Sequence, residues 1–127
     1  TRDFLLQLRA TTGSVGVMAP TPLLPFDAVE CISSSGRRRF PSCSVSLEAL
    51  PHTDATRAIP RGVEHVPGAF MLDMTDVVCP AGVCSALNDG LLTYRDSQHL
   101  NAAFVEKLSE ELARRMAASG VLPAEAR

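Results

Sequence analysis

The sequence predicts an α/β fold, half of a doubly wound three-layer domain. Two short apolar segments carry that prediction. Residues 14–19 (Ser14-Val15-Gly16-Val17-Met18-Ala19) and 69–74 (Ala69-Phe70-Met71-Leu72-Asp73-Met74) read as buried strands. The stretch between them far exceeds the dozen or so residues that a crossover between parallel strands requires. A strongly amphipathic segment near the C-terminus then supplies a helix to cover such a sheet. At 127 residues the chain has room for one domain, with about two-thirds of its unfolded surface buried.

The elements follow in order. Residues 3–10 place Phe4, Leu5 and Leu8 on one helical face, with Asp3 as the expected cap and Gly13 as the expected stop. The first strand ends at Pro20. From Thr21 to about His52 the chain is punctuated by Pro22, Pro25, Pro41 and Pro51 and reads as a long loop, of the functional or cross-linked kind. Asp54 to Val66 has partial helical spacing, and Pro60 predicts that any helix there is short or kinked. The final helix is the clearest element. Phe104, Leu108, Leu112 and Met116 recur every fourth residue with Val105 beside them, Asn101 is a good cap and Gly120 can terminate it. With no pairing partner on its other side, the first strand would present an open edge.

Composition removes several classes of function. Hydrophobic residues at 46% and charged residues at 20% are ordinary globular usage, which argues against disorder. The longest apolar runs are far too short to span a membrane, and no signal-peptide pattern opens the chain. A net charge of -2 excludes a generic polyanion binder, and no nucleic-acid partner is expected. The Arg37-Arg38-Arg39 triplet reads as a solvated loop tip. The first residue is Thr1 rather than Met, as in a piece of a longer protein.

Four cysteines are informative in so short a chain. Their spacing, Cys31 to Cys43 and Cys79 to Cys84, suggests two disulfides and hence an oxidising compartment. The first would close a loop around the arginine triplet, worth about 3 kcal/mol in the chain-entropy model. Pro80-Ala81-Gly82-Val83 is a turn-forming stretch able to bring Cys79 and Cys84 together, worth about 2 kcal/mol. A zinc site on Cys79, Cys84 and histidines is the competing reading. No second short-spaced pair follows, so no metal and no cofactor is expected. His52 and His65 stand beside prolines and read as loop histidines.

Asp96-Ser97-Gln98-His99 carries the chemistry. Three residues apart in a turn, a carboxylate can bond the imidazole Nδ1, fix its tautomer and leave Nε2 to accept a proton. An inert helix-entry motif has the same spelling. The surroundings favour the first. Asp73, Cys79-x4-Cys84 and Tyr94-Arg95-Asp96-x-x-His99-Leu100, followed by a capped amphipathic helix, resemble the closing block of SGNH (GDSL-like) hydrolases. The likeness is to the SGNH domains fused to bacterial membrane acyltransferases of the acyltransferase-3 type. It covers nearly the whole chain and is most specific over residues 73–104.

The resemblance implies a flavodoxin-like, three-layer fold in which residues 1–127 form the C-terminal segment of a single SGNH-type domain. It implies Asp96 and His99 as catalytic acid and base. The family's Gly-Asp-Ser nucleophile block and its Gly and Asn oxyanion blocks have no counterpart here. Asn88 stands after the second strand and reads as a turn residue before Gly90. The implied partners are the upstream half of the domain, a membrane acyltransferase domain and a surface carbohydrate acceptor. The implied activity is serine-dependent transfer or hydrolysis of O-acyl groups, acetyl foremost, outside the cytoplasm in a membrane-tethered protein. The rival reading is a non-catalytic, disulfide-linked secreted module that binds a glycan or protein.

Overall fold

The computed structural model describes residues 1–35 and 43–120. The Arg37-Arg38-Arg39 triplet lies outside the described residues. In chain order the elements are α1 (Arg2–Thr11), β1 (Val15–Met18), α2 (Ala28–Ser35), β2 (Ser44–Ser46), α3 (Asp54–Glu64), β3 (Ala69–Leu72), α4 (Thr75–Val78), β4 (Val83–Ser85), β5 (Leu87–Asn88), β6 (Leu91–Leu92) and α5 (Ala102–Ala118). They fall into two compact units. One comprises Thr1–Pro20, His52–Met74 and the chain from Glu110 onward; the other comprises Thr21–Pro51 and Thr75–Ser109.

The first unit contains the expected parallel pair. β1 and β3 run side by side in register from Val15 opposite Ala69 to Met18 opposite Leu72. One face of the pair, Val15, Val17, Ala69 and Met71, packs on Leu5 of α1 and on Val63 and Val66. β1 is only half-buried, contrary to the expectation of a buried strand. Its residues alternate, and Gly16 and Met18 are exposed. Gly16 accommodates the Phe70 ring, since a Cβ there would lie 2.8 Å from Phe70 Cζ.

The helices of this unit depart from expectation at their ends and middle. α1 begins before Asp3, because Leu5 N–H bonds the Thr1 carbonyl and closes the first turn there. Thr1 therefore holds the cap position and Asp3 lies inside the helix. α3 runs as one helix of 11 residues through Pro60, capped by the Thr53 hydroxyl, which accepts from Thr56 N–H at 3.2 Å. A helical proline costs about 3 kcal/mol. Burial of Val63 and Val66 beyond it, at roughly 1.5–3 kcal/mol each, offsets that loss.

The second unit lies partly where a loop is expected. α2 forms within it because Asp27 caps the helix, its Oδ1 accepting from Glu30 N–H at 2.8 Å. Ser33 and Ser34, which favour turns, bond back to the Glu30 carbonyl and so remain helical. β2 pairs with β4 antiparallel. β5 and β6 form a hairpin closed by Asp89-Gly90, both at positive φ (52° and 76°), as a two-residue turn of the primed type needs.

Both expected disulfides are present. Cys31 bonds Cys43 with Cα atoms 5.9 Å apart, and Cys79 bonds Cys84 with Cα atoms 4.2 Å apart. Cys43, Cys79 and Cys84 are buried with Leu24, Ala28, Leu50, Val78, Tyr94 and Phe104 in one apolar cluster. The start of α5 closes that cluster. Asn101 Oδ1 caps it by accepting from Ala103 N–H at 3.0 Å, and Phe104 and Leu108 face inward. Val105, expected beside them, is exposed. Beyond the last turn, Gly120 adopts φ 78°, the left-handed conformation that ends helices.

Candidate active site

Residues 93–101 form a closed loop between β6 and α5. Asn101 N–H bonds the Thr93 carbonyl at 2.9 Å, Tyr94 and Leu100 form an antiparallel bridge, and Arg95 N–H bonds the His99 carbonyl at 2.9 Å. The chain thus folds back on itself as a narrow ladder, and Asp96, Ser97 and Gln98 make its tip.

Asp96 organises that tip. Its Oδ1 accepts from the backbone N–H of Gln98 and of His99, each at 2.7 Å. Its Oδ2 lies 2.7 Å from His99 Nδ1. Aspartate suits the position because its short side chain reaches amides two and three residues on without leaving the turn. Arg95 Nε stands 3.7 Å from the same Oδ2. The His99 and Gln98 amides, followed by the His99 ring, hold the Asp96 carboxyl well below the usual carboxylate range.

The consequence for the imidazole follows from charge. An ionised carboxylate only accepts, so His99 Nδ1 carries the proton and Nε2 presents its lone pair. Nε2 has no hydrogen-bond partner among the described residues, and the His99 side chain is 64% exposed. Asp96 is the more enclosed of the two, at 32%. The carboxylate is held inside the turn and the imidazole faces outward.

The other sequence-level candidates resolve simply. His65 Nδ1 lies 2.7 Å from the Arg61 carbonyl at the end of α3, and His52 lies in an exposed loop. Asn88 ends β5, immediately before the Asp89-Gly90 turn. All four cysteines are consumed in disulfides, so Cys79 and Cys84 offer no thiolate to zinc.

Two neighbours of the dyad were given no role by the sequence reading, although Tyr94 stands in the motif that carries the resemblance. Tyr94 is fully buried, and its hydroxyl donates to the Pro22 carbonyl at 3.0 Å. Burial pushes its phenol up to about 12, so it stays a donor across the physiological range. Thr93 is also fully buried, with a hydroxyl that has no partner among the described residues. A lone tyrosine beside the candidate turn invites a search for a distant acceptor, but the sequence does not name that acceptor.

Comparison with known families matches residues 1–114 to the SGNH domain (fused to AT3 domains). This chain belongs to that family. No curated protein and no solved structure matches it. The SGNH assignment agrees with the mixed helix-and-strand architecture and its parallel pair. It makes the chain a hydrolase- or acyltransferase-like domain of a kind found joined to AT3 partners. Among the described helices, none is long and apolar enough to cross a membrane.

Proposed function

We propose that the chain supplies the general base and its orienting acid to serine-dependent acyl chemistry. His99 is the base and Asp96 the acid. The serine and the oxyanion donors come from an upstream half of the same SGNH-type domain, of which residues 1–127 are the C-terminal segment. The observation that carries this reading is the 2.7 Å contact between Asp96 Oδ2 and His99 Nδ1, with Nε2 turned to the surface.

The residues would work as follows. As the serine oxygen attacks the acyl carbonyl, its proton passes to His99 Nε2. Asp96 stabilises the imidazolium that results and keeps its own charge throughout. When the tetrahedral intermediate collapses, Nε2 returns the proton to the departing alkoxide. An acceptor hydroxyl, or water, then repeats the cycle on the acyl-serine. The substrates are O-acyl groups, acetyl foremost, on bacterial surface carbohydrate. The donor is a membrane acyltransferase domain in the same protein, which fits the family's fusion to AT3 domains. Two disulfides suit placement outside the cytoplasm.

The test is His99→Ala in the intact protein. Turnover should fall on the order of a thousandfold or more, with a melting temperature lowered by no more than a few degrees because the ring is exposed and loses only its bond to Asp96. Wild-type turnover in that variant would defeat the assignment of His99 as the base.

A further inference from the structure

The dyad is assembled locally, by residues three apart, and local bonds alone do not fix where the turn stands in the domain. Two bonds from a distant segment do. Tyr94, at the base of the turn, donates its hydroxyl to the Pro22 carbonyl, 72 residues away in sequence, at 3.0 Å. Leu24 N–H donates to the Ser97 carbonyl, at the tip between Asp96 and His99, at 2.9 Å. The same short segment therefore grips the turn at both ends. It is itself held firmly, since Leu24 is buried in the apolar cluster and Pro22 and Pro25 restrict its backbone.

From this we infer that Tyr94 is a positioning residue, and that Tyr94 with the Pro22–Leu24 segment sets the stance of His99 toward its nucleophile. The inference rests on the reading of His99 as the base. The Tyr94 ring could serve packing alone with phenylalanine in its place. The hydroxyl adds a directed bond to a fixed carbonyl, and that bond opposes any lift of the turn away from the core. The Leu24–Ser97 bond then holds the tip against rotation about its base. General-base catalysis needs Nε2 within hydrogen-bond reach of the serine. A displacement of about 1 Å is enough to cost on the order of a hundredfold in rate.

The decisive variant is Tyr94→Phe in the intact protein, which keeps the ring and removes only the hydroxyl. Turnover should fall roughly ten- to a hundredfold, with KM within about twofold because no substrate contact is lost. Two further readouts accompany the kinetics. The melting temperature should fall by no more than a few degrees. In protein labelled with 15N-histidine, the His99 Nδ1 proton should exchange faster with water as the turn loosens.

Each outcome is informative. Wild-type kcat per folded molecule together with unchanged His99 signals would overturn the proposal. So would a loss of activity that merely tracks the unfolded fraction, since that is a packing role. Should His99→Ala remain active while Tyr94→Phe still loosens the His99 ring, the clamp exists but its catalytic purpose is lost. That pattern separates failure of this inference from failure of the functional reading beneath it.

Discussion

The two units of the chain hold themselves together by different means. The first relies on a parallel strand pair and a small cluster in which Leu5, Val63 and Val66 are the buried members. It leaves Phe4 61% exposed, with Leu6, Leu8 and Met18 also open to solvent. The second has only short strands, yet it buries a larger apolar cluster around Tyr94 and Phe104 and is crossed by two disulfides. The Asp96–His99 turn belongs to the unit with the shorter strands and both disulfides. For the proposed function, such a turn needs its side chains fixed more than it needs a long ladder.

Asp96→Asn would sharpen this contrast most. The amide oxygen can still accept from the Gln98 and His99 backbone, whereas the amide nitrogen cannot receive the Nδ1 proton. The imidazole should adopt the wrong tautomer, and turnover should fall about a thousandfold. Measured kinetics with a stability control would distinguish this from unfolding. Stability gives a second reading. The Asp96 carboxyl titrates lower in the folded chain than in the unfolded one, so its contribution is complete above the unfolded value near pH 4. It is lost as pH falls through the folded value. Melts of wild type and variant should therefore converge as the solution is acidified below about pH 4, and curves that stay parallel would speak against the charged turn.

Phe104→Ala attacks the cluster directly. Loss of a buried ring should cost about 3–5 kcal/mol, read by denaturant unfolding, and should disturb the turn because α5 starts where the turn ends. A loss under about 1 kcal/mol would mean that the disulfides alone hold the second unit. Phe4→Ser lies at the other extreme. An exposed side chain should change stability by no more than about 0.5 kcal/mol. A loss above about 2 kcal/mol in the intact protein would show Phe4 to be buried there, and the contrast between the units would have to be redrawn.

Much of this was legible in the residues. The four-residue spacing from Phe104 to Met116 describes α5, because burial and period coincide. β1 and β3 were readable as a parallel pair from two apolar runs and a long crossover. Asp96 and His99 could be paired because the whole interaction is local. The difficulties have physical causes. α2 was hidden because Ser33, Ser34 and Ser35 favour turns, although Asp27 and Glu30 spell a helix start. β1 looked buried from its composition, yet its alternation leaves Gly16 and Met18 outside. The Pro60 penalty was counted without the valines beyond it. The Tyr94–Pro22 bond depends on tertiary placement across most of the chain, which no local pattern encodes.

The reach of that one bond also bears on how a newly made chain becomes active. The Asp96–His99 contact closes a span of a few residues, and such short loops close on the submicrosecond scale. The Tyr94–Pro22 contact spans 72 residues, and contacts so distant in sequence are slow to form. Pro22 emerges early in synthesis and Tyr94 late, so the acceptor must wait for its donor. During that interval a molecule would carry a chemically complete dyad on an unanchored turn. Under the proposed function, maturation is then a matter of docking, and activity should lag behind the local structure that makes it possible.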